Sequence, residues 1–112
     1  QVADAEATLE SARALVRDTV GETWEAAKSR GEITPAQRAR LRLAATHATR
    51  SAARATDLMY DAGGGTSIYA TSRLQRCFRD VHVATQHVMV APASLELAGR
   101  LLLGLETDTA ML

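Results

Sequence analysis

The chain has 112 residues, and its 13 basic and 13 acidic side chains leave a formal charge of zero. No general field therefore draws it to nucleic acid or to an anionic membrane, and a domain this small has little room to enclose both a large cofactor and an organic substrate. Cys77 is the only cysteine, which excludes an internal disulfide and a cysteine-based zinc site and fits a reducing, cytoplasmic setting.

Lys28 is the only lysine, so the basic residues are almost all arginine, a side chain suited to fixed ion pairs and phosphate contacts. The most apolar run, Leu101–Leu103, lies between Arg100 and Gly104 and is far too short to cross a bilayer. Asp4, Glu6 and Glu10 stand where a secretory signal would need a basic region and an apolar core. These features predict a soluble, cytoplasmic chain. It opens on Gln1, inside what reads as a helix, as expected of a piece of a longer subunit.

Leu9, Ala12, Val16, Val20, Trp24 and Ala27 follow at spacings of three and four, which places them on one helical stripe and predicts that Trp24 is core. Gly31, just past Lys28 and Arg30, predicts the helix end. Thr34-Pro35-Ala36-Gln37 has the form of a capping box with proline at the first helical position, so a second helix starts near Pro35. Its predicted inward positions are Leu41, Ala44, Ala45, Ala48, Ala52, Ala55 and Met59; so many alanines admit a close partner and place the helix centrally. Gly63, Gly64 and Gly65 then force a turn, because each costs a helix about 1 kcal/mol relative to alanine.

Ser72-Arg73-Leu74-Gln75 suggests another capping box. A third helix is predicted from Arg73, ended or kinked by Pro92, with Leu74, Cys77, Val81, Ala84 and Val88 buried. A short fourth helix over 93–103 and an exposed tail over 105–108 complete the chain. The fold class is all-α, an antiparallel up-down helical bundle.

Three histidines bear on chemistry. His82 and His87 are five residues apart, which turns them away from each other on a helix, and His47 has no acidic neighbour in sequence. No metal site is predicted. Arg76 is within helical ion-pair reach of Asp80, so Arg79 and Asp80 read as structural residues that fix the turn and the neighbouring bundle.

The run Gly63-Gly64-Gly65-Thr66-Ser67-Ile68-Tyr69, followed by Leu74-Gln75-Arg76-Cys77-Phe78-Arg79-Asp80 and Thr85-Gln86-His87, resembles the C-terminal helical domain of the acyl-CoA dehydrogenase superfamily. A histidine after the Arg-Asp pair is similar to the branch of flavin-dependent monooxygenases that hydroxylate aromatic or related rings with reduced flavin and oxygen. In the dehydrogenases a catalytic glutamate follows Arg-Asp at nearly this distance; here that position holds valine, so a base for acyl thioester dehydrogenation would have to come from elsewhere. The resemblance implies that His87 sits beside the flavin, where it stabilises a peroxide adduct or exchanges a proton with the substrate hydroxyl. Without the resemblance, His87 reads as a residue capping or packing near the end of the third helix.

The resemblance also implies that Gly64 and Gly65 approach the phosphate or adenosine part of the cofactor, often on a neighbouring subunit, where the missing Cβ admits close backbone approach. Thr66-Ser67-Ile68 departs from the usual further glycine, which leaves FMN or FAD open. Thr85 and Gln86 are weaker candidates for flavin hydrogen bonds. Further implications are a homo-oligomer, dimer or tetramer, a separate flavin reductase, a small-molecule substrate, and one more long helix ahead of this region, whose absence leaves an apolar groove that self-association would cover. The full-length subunit is then an enzyme, and this stretch alone is expected to be inactive. Two alternatives carry the same fold: an acyl-CoA dehydrogenase-type oxidoreductase, and a stand-alone, non-catalytic helical oligomerisation module.

Overall fold

The computed structural model describes all residues, 1–112, and contains four helices and no strand. Helix α1 spans Val2–Arg30 and α2 spans Pro35–Ala62, two rods of nearly equal length lying antiparallel across a four-residue connection. Helices α3, Arg73–Ala84, and α4, Pro92–Leu102, pack against α2 and make no substantial contact with α1. The predicted all-α class and the central place of α2 therefore hold.

Local signals set the ends of the long helices. Gly31 adopts φ 77°, and its amide donates to the Ala27 carbonyl, closing α1. At the start of α2 the Gln37 amide donates to Thr34 Oγ1 at 3.2 Å, while the Thr34 amide donates to Gln37 Oε1 at 2.8 Å. Both halves of the predicted capping box are present. The expected box at Ser72 is not: its side chain makes no cap bond, and α3 starts instead from a turn in which the Ser72 amide donates to the Tyr69 carbonyl.

The core differs from the predicted stripes. Only alanine, threonine and serine are fully buried. On α1 the buried positions are Ala5, Ala12, Thr19 and Thr23, so the contact stripe lies one residue back from Val20 and Trp24. Trp24 is 64% exposed and Val20 50% exposed, which corrects the expectation that both are core. The small residues win the seam because they let the two helix backbones approach closely, and the larger side chains are turned outward.

On α2 the predicted single stripe becomes two. Ala39, Thr46 and Ala53 form one line at seven-residue spacing, while Ala44, Ser51 and Ala55 form another on a different face of the helix. The second line faces α1, as the Arg40 pairs with Asp18 and Glu22 and the Arg54–Asp4 pair indicate. The first faces α3 and α4. Ala44 and Ala55 are buried as expected; Leu41, Ala48, Ala52 and Met59 are half-buried, and Ala45 is exposed.

On α3, Leu74 and Val81 are half-buried, but Cys77, Ala84 and Val88 are exposed, against prediction. The helix also stops at Ala84, well before Pro92, which is instead the first residue of α4. Arg76 and Arg79 both lie near Asp80, at 3.6 and 3.9 Å, but these exposed pairs stay within α3 and tie it to nothing else. The tail over 105–108 is exposed as expected, apart from the half-buried Thr107, and it is tethered: the Arg100 guanidinium donates to the Glu106 carbonyl at 2.8 Å, and further on Arg42 reaches the Met111 carbonyl at 3.0 Å.

The result is elongated, 52 × 25 × 22 Å. Its radius of gyration is 16.7 Å, against about 13 Å for a compact domain of this length. Replacing Thr34 by alanine removes one half of the cap and is expected to cost about 1 kcal/mol, read as a lowered urea midpoint; an unchanged midpoint would show that the tertiary contacts of α2 make its cap redundant.

Candidate functional site

The segment that follows α3 carries the predicted chemistry, and its shape begins with a clamp. His82, in the last turn of α3, places Nε2 2.7 Å from Asp57 Oδ1 on α2. Phe78 packs on the His82 ring at 4.5 Å between centroids, and Tyr60 packs on Phe78 at the same distance. These contacts join the end of α3 to the face of α2 that carries Ala53 and Thr46. His82 and Asp57 are 25 residues apart, beyond any spacing rule, so reading the sequence missed the pair.

Beyond the clamp the helix unwinds. The Thr85 hydroxyl donates to the His82 carbonyl at 2.7 Å, and the Gln86 side-chain amide donates to Thr85 Oγ1 at 3.1 Å. The amides of Gln86 and His87 turn back to the Val83 and Ala84 carbonyls. A side-chain hydroxyl that takes a carbonyl near a helix end offers the backbone an alternative to continuing the helix. His87 is consequently extended rather than helical, φ −67° and ψ 132°, and heads a 3₁₀ turn over Val88–Val90.

The His87 ring has a defined polarity. Its Nδ1 accepts the Met89 backbone amide at 3.2 Å. A backbone N–H can only donate, so Nδ1 carries no proton in this bond and the ring proton resides on Nε2. The residue is exposed, and so are the adjacent Val83, Val88 and Met89, at 68%, 64% and 41%. His87 thus presents an N–H donor from a turn rimmed by uncovered apolar side chains. Arg42 of α2 holds the far side of the turn, donating to the Met89 carbonyl at 3.0 Å through one guanidinium nitrogen while the other binds Met111. Sequence reading also missed this residue; no local pattern marks an arginine that reaches 47 and 69 residues along the chain.

Gly64 and Gly65 lie at the opposite end of α3, in a 3₁₀ turn over Gly64–Ile68. Helix α3, twelve residues or about 18 Å long, lies between the two sites along the chain. Both glycines are exposed, with nothing within 4 Å of a Cβ built on either, and Gly64 has φ +56°. The backbone there is open to a ligand. Gly63 differs: a Cβ on it would collide with Ser67 Oγ and meet Leu74 Cδ1 at 2.8 Å. It is the glycine that the internal contacts of the turn require.

His47 lies 3.4 Å from Ser51 Oγ and has no carboxylate partner. No three His, Cys, Asp or Glu side chains converge as a metal site would require. No helix is long and apolar enough to cross a membrane.

Residues 1–92 match the acyl-CoA dehydrogenase C-terminal domain. The chain belongs to that family. It is similar to an indole-3-acetate monooxygenase of Pseudomonas putida, 36% identical over 103 residues, which cover 92% of this chain and 26% of the relative. A protein of the same name from Acinetobacter baumannii is 33% identical over 106 residues, 95% of this chain and 27% of the relative. The chain thus spans about a quarter of the length of the curated relatives it matches. The family match covers α1, α2, α3 and the His87 turn, and reaches the first residue of α4.

Two outcomes test this geometry. Gly63→Ala is expected to destabilise by about 1–3 kcal/mol through overpacking, whereas Gly65→Ala should leave the melting temperature nearly unchanged; equal effects would contradict the packing described. Arg42→Ala should speed amide hydrogen exchange in Val88–Val90 and in the 109–112 tail together, and faster exchange in neither would show that Arg42 does not hold them.

Proposed function

We propose that this chain is the C-terminal helical domain of the oxygenase component of a two-component flavin-dependent monooxygenase, which hydroxylates an aromatic or related ring. The observation that carries the reading is the His87 turn: an exposed Nε2–H donor, fixed through Nδ1 by the Met89 amide and flanked by uncovered valine and methionine side chains. Such a surface suits the edge of a flat, partly apolar ring system that needs one directed donor. The open space over Gly64 and Gly65 suits the approach of a phosphate or adenosine group, which the family reading places on a neighbouring subunit's cofactor. These residues fit a flavin.

Reduced flavin, delivered by a separate reductase, supplies the electrons and the position at which dioxygen is activated. With Nδ1 taken by the Met89 amide, His87 would act there as a hydrogen-bond donor, giving its Nε2–H to an oxygen atom without releasing the proton. The bonds from Gln86 to Thr85 and from Thr85 to the His82 carbonyl position His87, and they leave Gln86 Oε1 for a cofactor bond. The run Thr85–Ala91 contains no carboxylate, which disfavours acyl-CoA dehydrogenation by a base from this turn. The similarity to indole-3-acetate monooxygenases makes indole-3-acetate the first substrate to assay.

Self-association belongs to the same reading. The chain exposes 7509 Å², where a compact monomer of its mass exposes about 6,000 Å². The excess is more than the roughly 800 Å² per partner of an ordinary interface. A cleft of about 450 Å³, lined largely by Leu15, Ala36, Ala39, Leu43, Leu101 and Leu102, adds to the apolar surface available for burial. We infer a dimer or tetramer, working in the cytoplasm.

In the full subunit supplied with reduced flavin, His87→Ala is expected to lower hydroxylated product per flavin oxidised by about 10²-fold, with the lost turnover appearing as hydrogen peroxide. Unchanged coupling would remove His87 from the chemistry, and hydroxylation detected with no flavin present would overturn the whole reading.

A further inference from the structure

A second concave site lies beside the Asp57–His82 clamp. It is a cleft of about 470 Å³ whose polar lining consists of Arg50, Arg54 and Asp57 from α2 with His82, Thr85 and Gln86 from the end of α3. Ala53, Ala91 and Pro92 complete the wall with small apolar surface. The volume is that of a small-molecule site, but the lining calls for a polar ligand.

The charges in this cleft are not balanced. Its one carboxylate, Asp57, is committed to His82 at 2.7 Å. Arg54 has an outside partner, Asp4, at 3.5 Å, with both side chains largely in solvent. Arg50 stands one helical turn before Arg54 and has neither an ion pair nor a hydrogen bond, although most other arginines of the bundle do. A guanidinium presents parallel N–H groups that match the two oxygens of a carboxylate or phosphate.

We propose that the Arg50 cleft is a binding site for an oxyanion of a small molecule, either an organic carboxylate or a phosphate, with Arg50 as the principal ligand, Arg54 in support, and the Asp57–His82 pair forming a fixed wall. The His82 bond engages the Asp57 carboxylate and so reduces its repulsion of the anion. The site is independent of the oxygenase reading, since it needs neither flavin nor oxygen.

The test is a fluorine NMR titration of the full subunit with para-fluorophenylacetate, its neutral analogue para-fluorophenylacetamide, and inorganic phosphate as competitor. The acid is expected to bind more tightly than the amide, and Arg50→Ala to weaken it by about tenfold. Displacement of the acid by phosphate would mark a phosphate site, and failure of phosphate to displace it a carboxylate site; either supports an oxyanion site. Arg50 holds no other residue in place, so the alanine variant should fold, and Arg50→Lys, which keeps the charge and loses the fork, should bind with intermediate affinity. Equal binding of acid and amide, or anion binding that neither substitution changes, would overturn the proposal. Because no turnover is measured, these outcomes are unaffected by whether the subunit hydroxylates anything.

Discussion

The close seam between α1 and α2 is the constraint from which the rest of the molecule follows. Ala5, Ala12, Thr19 and Thr23 meet a line of Ala44, Ser51 and Ala55, and no side chain larger than threonine fits fully inside. With its α1 side used this way, α2 has its other line, Ala39, Thr46 and Ala53, for the remaining helices. Helix α3 must cross that face, and its end arrives beside Asp57. The seam also turns Val20 and Trp24 outward. Small residues inside and large ones outside are thus one choice, made where the two backbones approach.

The His87 turn is held at three points. Asp57 binds the His82 ring, the Thr85 hydroxyl takes the His82 carbonyl, and Arg42 binds the Met89 carbonyl from the far side. Two of the three anchors are on α2, the central element of the bundle. Such support fixes the direction in which His87 presents its Nε2–H, and small errors of position weaken a directed hydrogen bond steeply. Val83, Val88 and Met89 around it are exposed.

What could be read from the sequence was local. The Thr34–Gln37 box and Gly31 act within a few residues and stand where expected, and α4 opens within one residue of its expected start. The resemblance carried in Gly63–Tyr69 and Arg79–His87 led to the family that the match over 1–92 establishes. The α1 stripe differs because periodicity weights large apolar residues, whereas the approach of α1 and α2 selects small ones and turns Trp24 outward; that reason does not extend to α3, where Leu74 and Val81 are half-buried and Cys77 and Ala84 are exposed. The end of α3 was misplaced because no glycine or proline marks Ala84, and the stop depends on Thr85 bonding to a carbonyl whose residue is clamped from another helix. Asp57, Arg42 and Arg50 acquire meaning only once the helices are assembled.

A bundle whose interior is alanine, threonine and serine removes little apolar surface from water when it forms. Heat-capacity change and denaturant sensitivity both scale with that surface, so separation of these four helices alone would be a shallow, weakly cooperative transition. Where copies of the chain cover one another's valines, leucines and tryptophan, most of the cooperativity belongs to the assembly. Its melting midpoint then rises with protein concentration, and dilution acts on the molecule as a denaturant does.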